Sequence, residues 1–262
     1  MHHALFIAAA AVGLAATFTS CGIYPTVRGS GLVMTEDRPL DQSFGAIDVS
    51  GAADVVLTQG GASYLEIDCD DNLLPHILAT VEGGTLRIRF EEGSYRPSVR
   101  PVYRIGTAQL SGIRLRGSTR LVAANVDAHE LELRISGSGS ATIDDVAAHG
   151  LDVVVSGSGG LDVGRLEADS ASFTISGSGH VEAGEGSLRT LVSRTSGSGD
   201  VELSDVRVES ATVRVSGSGT VRLWATESLS ARVSGSGDVG FRGEPEKVST
   251  SCSGSGDVFA LR

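Results

Sequence analysis

The chain has 262 residues, a formal net charge of −11 at pH 7, 35 glycines and only 5% aromatic residues. An acidic surface disfavours nucleic acid, which binds through a basic stripe, and it disfavours direct contact between the protein surface and anionic lipid headgroups. We therefore expect no nucleic-acid partner. Few aromatic residues and many glycines are typical of a thin interior of Val, Ile and Leu with frequent bends.

The first 20 residues are typical of a bacterial export signal. The apolar run between Ala4 and Ala16 is too short to span a bilayer. It leads to the tetrapeptide Phe-Thr-Ser-Cys, ending at Cys21, which resembles a lipobox. We therefore predict a lipoprotein signal peptide over residues 1–20 and a lipidated Cys21 that anchors the protein in the cell envelope, in the outer membrane or the periplasm. Secretion without a lipid is the alternative.

Residues 21–43 contain scattered prolines and glycines, and we interpret them as a tether. A single domain is predicted over residues 44–262, because no linker interrupts it. Within this domain, residues 50–57 resemble residues 196–203. The first coil is therefore a degenerate copy of later repeats.

The next part of the chain has a mixed pattern. Strands are predicted over residues 64–69 and 85–90, where apolar and polar residues alternate. A short helix is predicted from about Leu73 to Ala79, with Pro75 in its first turn. Residues 91–103 are interpreted as a loop or a projecting excursion.

The rest of the chain is organised by the tetrapeptide Ser-Gly-Ser-Gly. It begins at Ser136, Ser156, Ser176, Ser196, Ser216, Ser234 and Ser253, so successive copies are 20, 20, 20, 20, 18 and 19 residues apart. Residues 116–121 form another degenerate copy, 20 residues before Ser136. A fixed period of this length indicates a repeat protein in which each unit buries its apolar face against its neighbours.

Each repeat contains three short groups of alternating apolar and polar residues, and none has the 3.6-residue period of a helix. Apolar residues recur at equivalent positions, and the position just before the tetrapeptide holds Ile135, Val155, Ile175, Thr195, Val215, Val233 and Cys252. We therefore predict an all-β fold, a parallel β-helix (solenoid) with coils of about 20 residues stacked about 4.8 Å apart. The bias of parallel crossovers favours a right-handed helix.

The Ser-Gly-Ser-Gly segment is interpreted as a corner between strands. If the alternation continues through the bend, Gly217 and Gly219 face inward while Ser216 and Ser218 face outward. Glycine is suited to a corner because it tolerates unusual dihedral angles and close backbone contacts. The alternative is a ligand-binding ladder of exposed hydroxyls at the third position of the tetrapeptide, formed by Ser138, Ser158, Ser178, Ser198, Ser218, Ser236 and Ser255.

Three features together resemble one bacterial family. Residues 44–51 (FGAIDVSG), residues 82–88 (EGGTLRI) and the Ser-Gly-Ser-Gly-Asp-Val repeats are similar to the family called "Putative auto-transporter adhesin, head GIN domain". The resemblance covers roughly residues 40–262. It implies an exported all-β solenoid, often a lipoprotein, and it brings no catalytic residues.

The chain shows no pattern for metal or cofactor chemistry. Asp54, Asp200, Asp238 and Asp257 follow corners, but a calcium-binding β-helix repeat has a nine-residue period and the Asp column here is broken. His129 and His149 are one period apart and are expected to stack, but two histidines alone make a poor zinc site. No nucleophile elbow, HExxH motif, phosphate loop or dinucleotide fingerprint is present. We expect no cofactor and no enzymatic activity.

Two expectations concern the cysteines and the last coil. Cys252 shares its column with Val215 and Val233, so we predict a buried thiol, and we expect no disulfide between Cys252 and Cys69 because several coils separate them. The last coil has no evident cap, so we expect an exposed strand edge near Val258.

We therefore predict a non-catalytic envelope lipoprotein, a β-solenoid on a lipid anchor that contacts an unknown protein or glycan ligand. The first alternative is a structural module that forms homo-oligomers through its coil ends. The second alternative is a carbohydrate-active enzyme, which the uniform coils disfavour because they leave no long loops to build a cleft.

Overall fold

The alternation of apolar and polar residues produces a stack of coils in which every second side chain points inward. A computed structural model describes residues 25–261, which form a β-solenoid of about 7 turns with coils of ~20 residues. The predicted all-β solenoid is confirmed, and its handedness stays a prediction. The predicted signal peptide (residues 1–20) and Cys21 lie outside the described residues.

The strands are numbered in chain order. They are β1 (Thr26–Arg28), β2 (Val33–Asp37), β3 (Ala46–Gly51), β4 (Asp54–Gln59), β5 (Tyr64–Asp70), β6 (Ile77–Glu82), β7 (Thr85–Phe90), β8 (Ser94–Arg96), β9 (Val102–Thr107), β10 (Gly112–Gly117), β11 (Arg120–Gly137), β12 (Ser140–Gly157), β13 (Gly160–Gly177), β14 (His180–Gly197), β15 (Asp200–Gly217), β16 (Thr220–Gly235), β17 (Asp238–Arg242), β18 (Lys247–Gly254) and β19 (Val258–Ala260). One turn of 3₁₀ helix, Leu74–His76, precedes β6.

The regular coils are long, bent strands that pair in parallel. β11 pairs with β12, β12 with β13, and β13 with β14 at a constant offset of 20 residues, as in Leu121 with Ala141. The pairing between β11 and β12 omits Ala124 and His129, which mark two bends. Each coil therefore has three segments, which in β11 are residues 120–123, 125–128 and 130–137. The Ser-Gly-Ser-Gly corner forms the third bend.

The interior is lined by aliphatic residues that recur in every coil. In β11 the residues at most 8% exposed are Leu121, Ala123, Val126, Leu131, Leu133 and Ile135. Phe173 is the one aromatic residue of β11–β16 that is fully buried. Burial of this repeated apolar surface is the main favourable contribution to stability.

The spacing of 18 rather than 20 residues between the tetrapeptides at Ser216 and Ser234 has a local cause. Between β15 and β16, Leu203 pairs with Leu223 but Arg207 pairs with Trp224, so residues are missing at the first bend. By Ser210, which pairs with Ser228, the offset is 18 residues and stays constant to Gly217. The third segment is therefore unchanged, and the interior columns continue.

The N-terminal region is built differently. β3 pairs in parallel with β7 and β10, and β4 pairs in parallel with β9 and β11, so the first coil continues the stack. Beyond it, β5 pairs antiparallel with β2 and β9, and β6 pairs antiparallel with β7. These antiparallel strands cover the first coil.

Three sequence-based expectations for this region are wrong in detail. The described part of the tether expected over residues 21–43 contains β1, which pairs with β8, and β2, which pairs with β5. The helix predicted from Leu73 to Ala79 is limited to Leu74–His76, since β6 begins at Ile77 and pairs with β7. The excursion expected over residues 91–103 contains β8 and the start of β9.

The C-terminal coil is open. All eight residues of β18 are exposed, and β18 pairs only with β16 among the described strands. Cys252 pairs with Val233 as its column predicts, but it is exposed, so the prediction of a buried thiol is wrong. Its column would be buried only by a further coil. The absence of a disulfide is confirmed within residues 25–261, because Cys69 and Cys252 are both free.

The described part of the chain, residues 25–261, contains no helix with the length and apolar character needed to cross a membrane.

Candidate binding surfaces on the solenoid

The Ser-Gly-Ser-Gly corners are held by backbone contacts between coils. Gly217 has φ +130°, a conformation that favours glycine, and the backbone N–H of Ser218 donates to the carbonyl of Gly197 at 2.8 Å. A Cβ added to Gly217 would lie 2.2 Å from the same carbonyl oxygen. Glycine is therefore required here by both dihedral angle and space.

The direction predicted for Gly217 is wrong, while the other three assignments of the corner are confirmed. Gly219 is buried, and Ser216 and Ser218 are exposed, as expected. Gly217 instead lies partly exposed, and its missing Cβ would point along the stack toward Gly197. The positive φ interrupts the strand alternation, so Ser216, Gly217 and Ser218 all lie on the outer side.

The third-position serines form an exposed column. The column consists of Ser138, Ser158, Ser178, Ser198, Ser218, Ser236 and Ser255, and all seven are exposed. Within residues 25–261 none of their hydroxyls hydrogen-bonds to another group of the protein. Their backbone N–H groups are used between coils, as in Ser158 to Gly137 at 2.9 Å. The column can therefore offer hydroxyls to a ligand without loss of corner geometry.

A groove runs across several coils along the bend between the second and third segments. It has a volume of about 620 Å³, and its floor consists of Ala128, Ala148, Ala168 and Leu188. The flanking positions are polar, and they include Asp127, Glu167, Arg207, His149, Asp169, Arg189 and Glu209. The alanines contribute to the depression because their side chains are small.

Charged side chains form a short network in this groove. His149 Nδ1 lies 2.8 Å from Asp169 Oδ2, and Arg189 lies 3.1 Å from Asp169 Oδ1. The hydrogen bond from His149, together with the charge of Arg189, lowers the pKa of the Asp169 carboxyl. The rings of His129 and His149 lie 4.8 Å apart at an interplanar angle of 60°, so the two side chains are neighbours on successive coils but their rings are tilted and do not stack as expected.

The groove shows no catalytic arrangement among the described residues. Nε2 of His149 has no protein partner there, so no serine or cysteine is placed for activation by the His149–Asp169 pair. Ser187, whose hydroxyl lies in the wall of the groove, donates to Glu167. The only buried thiol of residues 25–261 is Cys69, and burial raises its pKa to about 11, which disfavours a reactive thiolate.

Three of the four carboxylates that follow the corners have structural partners. Asp200 accepts a hydrogen bond from the backbone N–H of Thr220 at 2.8 Å, and Asp238 accepts one from Asp257 at 2.9 Å. Asp54 pairs with Arg120 at 2.9 Å. Over residues 25–261, no group of three or more His, Cys, Asp or Glu side chains could hold a metal ion.

The sequence contained a signal for the groove that our interpretation did not use. Ala128, Ala148 and Ala168 recur at the 20-residue period. A column of the smallest apolar side chain on a partly exposed position predicts a depression. The region around Tyr95, in contrast, offers no projecting loop, because Tyr95 stacks on Phe90 with ring centroids 4.8 Å apart.

The solenoid resembles several crystal structures over nearly the whole chain. A "Putative lipid binding protein" from Parabacteroides distasonis is 26% identical with a TM-score of 0.85, and the match covers 91% of this chain and 100% of that one. A "putative adhesin" from the same species is 24% identical with a TM-score of 0.86, covering 90% and 100%. A "putative adhesin" from Parabacteroides merdae is 22% identical with a TM-score of 0.86, covering 90% and 99%.

No curated protein sequence matches the chain significantly. The family resemblance inferred from three sequence features is confirmed by a family model that covers most of the solenoid. The chain therefore belongs to the family described as "Putative auto-transporter adhesin, head GIN domain", whose model matches residues 43–245.

Proposed function

We propose that the protein is a non-catalytic, adhesin-like binding module of the bacterial cell surface. The observation that carries this proposal is the continuous parallel ladder from β10 to β16, which holds rows of exposed polar side chains at fixed spacing. Such a surface suits a ligand that extends along several coils. The adhesin names of the family and of its structural relatives support the same role.

The backbone of the regular coils restricts how a partner binds. Nearly every N–H and C=O group between β10 and β16 is oriented along the stack and paired with the next coil. A lateral partner therefore has to bind through side chains rather than by adding a strand. The side-chain rows available include the corner serines and the groove beside His149.

The arrangement of polar groups supports binding without chemistry. Catalysis by acyl or glycosyl transfer needs a nucleophile or a second carboxylate within reach of a general acid or base. Asp169 pairs with both His149 and Arg189. We interpret this network as a set of hydrogen-bonding groups for a ligand.

Attachment to the envelope is part of the proposal. The sequence preceding Cys21 supports lipidation at that thiol, which would place the solenoid close to a membrane without use of its own surface. Mass spectrometry of the native N-terminus tests this. An acylated Cys21 is expected, and an unacylated N-terminus at another residue would contradict it.

A glycan and cell-binding assay tests the binding function. Full-length protein in mild detergent is applied to a glycan array and to intact bacterial and host cells, and the array is then analysed for cleavage products. Saturable binding without cleavage is expected. Released saccharide would identify an enzyme, and absence of saturable binding to any of these surfaces would contradict an adhesin-like role.

One observation favours a second candidate, a module that assembles through its ends. β18 has an unpaired edge among the described strands, and Val248 and Phe259 in the last coil are 49% and 42% exposed. Open edges and apolar ends recruit further strands. A second copy of the chain could stack on this coil.

A further inference from the structure

One side of the solenoid carries hydroxyls and arginines at its outward positions, and Glu246 is the only acid that lines the two depressions on this side. Outward positions of the third segment in the last five coils are exposed or half-buried. They are Ser170, Ser172, Thr174, Ser176, Thr190, Val192, Arg194, Ser196, Ser210, Thr212, Arg214, Ser216, Ser228, Ser230, Arg232, Ser234, Lys247, Ser249, Ser251 and Ser253. We call this surface the hydroxyl–arginine face. In a chain with net charge −11, a surface of this size without Asp or Glu stands out.

Three arginines form a column at the centre of this face. Arg194 pairs in register with Arg214, and Arg214 pairs with Arg232, so their side chains emerge from successive coils about 4.8 Å apart. All three are exposed. Like charges directly opposite each other on neighbouring strands are destabilising. The arginine column therefore destabilises the folded state.

Other arginines of the regular coils have partners. Within residues 112–261 these are Arg114, Arg116, Arg120, Arg134, Arg165, Arg189, Arg222 and Arg242, each within 4.0 Å of a carboxylate. Arg207 lies over the ring of Trp224 at 4.6 Å. Arg194, Arg214 and Arg232 form no ion pair with any described residue. The three guanidinium groups are thus free for an external anion.

The same column shows what a paired arrangement looks like. Arg134 occupies the equivalent position three coils before Arg194. It contacts Glu132 and lies 3.6 Å from Asp152, both on outward positions of the third segment. Glu132 lies two residues before Arg134. Two residues before Arg194, Arg214 and Arg232, the chain has Val192, Thr212 and Ser230, respectively. The positions equivalent to Glu132 and Asp152 therefore carry no acid in the coils that hold the arginine column.

We propose that the hydroxyl–arginine face binds a linear polysaccharide that carries carboxylate groups. The inference rests on the proposed binding function and names its surface and ligand class. Guanidinium groups bind carboxylates through two parallel hydrogen bonds. The serine and threonine rows on both sides of the column supply donors and acceptors for sugar hydroxyls.

Shape and charge favour a glycan over other polyanions. The depression between Arg214 and Arg232 has a volume of only about 60 Å³, and a wider depression of about 470 Å³ extends from Ser210 to Lys247. A ligand therefore lies across the face. None of the positions on the face is aromatic, which leaves no platform for stacking nucleic-acid bases. The basic column is short within an acidic protein, and screening over about 8 Å at physiological salt confines its attraction to groups that touch it.

The test uses full-length protein in mild detergent and three carboxylated probes, oligogalacturonate, alginate oligosaccharides and hyaluronan oligosaccharides. Methyl-esterified oligogalacturonate is the uncharged ligand control. The variant is the triple change Arg194→Gln, Arg214→Gln and Arg232→Gln. The matched control variant is Arg165→Gln, Arg222→Gln and Arg242→Gln, which removes the same charge from positions outside this face and outside the groove beside His149.

We expect at least one carboxylated probe to bind, with affinity reduced about ten-fold or more in the face variant and less than about two-fold in the control variant. Esterification should abolish binding. Raising salt from about 0.1 M to about 1 M should weaken binding, because the screening length falls from about 10 Å to about 3 Å. Circular dichroism verifies that both variants remain folded.

Several results would overturn the inference. They are equal losses in the two variants, binding of the esterified ligand, no binding of any carboxylated probe, or equally tight binding of DNA or anionic vesicles through the same arginines. If neutral glycans or cells still bind while all carboxylated probes fail, the inference is wrong and the binding function stands. If nothing binds, the binding function fails with it.

Discussion

The N-terminal region and the regular coils are stabilised in different ways. From β10 to β16 the coils repeat the same backbone contacts, and the corner glycines approach one another so closely that side chains are excluded. Between β1 and β9 the strands run in both directions and depend on individual side chains. Regular coils therefore need the right residue type in a column, whereas the N-terminal region needs particular residues at single positions.

Asp70 is the clearest example of a single-position requirement. Its side chain is buried, and it accepts hydrogen bonds from the backbone N–H of Gly31 at 2.8 Å and from that of Ser98 at 2.8 Å. The hydroxyl of Ser98 donates to the same carboxylate. These contacts tie the segment before β2 and the segment before β9 to the end of β5.

The largest effect is expected at a corner glycine of the regular coils. Gly217→Ala should destabilise the protein by more than about 3 kcal/mol, because the methyl group would meet the Gly197 carbonyl and the positive φ adds strain. Gly60→Ala is the matched control, since Gly60 has φ +111° but nothing within 4 Å of its added Cβ. Its cost should be about 1–2 kcal/mol. Denaturant unfolding measures both, and equal costs would refute the close-contact argument.

The second prediction concerns the N-terminal region. Asp70→Asn should destabilise the protein by about 2 kcal/mol at pH 7, since hydrogen bonds to a charged acceptor contribute about 1.5–3 kcal/mol. Asp37→Asn, at an exposed position of β2, should change stability by less than about 0.5 kcal/mol. Urea unfolding of the two variants provides the comparison. A larger loss for Asp37→Asn would show that the buried carboxylate is not what holds the region together.

We also predict that the stability difference between wild type and Asp70→Asn depends on pH. Burial alone raises the pKa of Asp70, but hydrogen bonds from Ser98 and Gly31 outweigh it and place the folded-state pKa below the ordinary 3.8. A lowered folded-state pKa means that the stabilisation is present above about pH 4 and is lost as pH falls through the folded value. The difference in melting temperature between wild type and Asp70→Asn should therefore be constant from about pH 7 to 5 and should shrink below about pH 4. A difference that grows in acid would contradict the assignment.

The third prediction concerns the open C-terminal coil, which neither a further coil nor antiparallel strands cover within residues 25–261. We expect concentration-dependent association in sedimentation velocity, and Val248→Lys should reduce it while changing stability by less than about 1 kcal/mol. Val122→Lys is the control, because Val122 and Val248 are both 49% exposed but Val122 lies on the side of β11. A monomer at all concentrations, or equal effects of both changes, would exclude contact through this end.

The smallest effect is expected at the corner hydroxyls. The triple change of Ser178, Ser198 and Ser218 to Ala should change the free energy of unfolding by less than about 0.5 kcal/mol per site, because the hydroxyls are exposed. The backbone N–H groups that hold the corner are retained. Thermal unfolding measures this. A melting temperature that falls as far as for Gly217→Ala would show that the hydroxyls themselves hold the corner.

The regular coils were predictable because a period of 20 residues fixes strand register and interior columns together. The predictions were wrong where we extended the alternating pattern beyond the extended, covered strands that produce it. Gly217 was placed inward because the positive φ at the bend cannot be seen in an alternating pattern. Cys252 was placed inside because its column is buried elsewhere, but burial of a column depends on the coil above it.

The N-terminal region was harder because its strand partners are distant in sequence. β2 pairs with β5 and β1 pairs with β8, and neither pair has a repeat to reveal it. The short helix near Pro75 was overextended because the pairing of β6 with β7 overrides local propensity. The arginine column was visible in the sequence at the 20-residue spacing of Arg194 and Arg214, but its lack of acidic neighbours became clear only with the register.

The identical corners carry no information about order along the stack. A coil that ends in Ser-Gly-Ser-Gly fits the corner of its neighbour and equally well the corner of the coil beyond, so a nascent chain could skip a turn without violating any local contact. The antiparallel strands β2, β5 and β6 and the shortened coil at β16 differ from the regular coils, so their partners are specified. Correct assembly during synthesis therefore depends on the N-terminal strands folding first and serving as the template on which each later turn is wound.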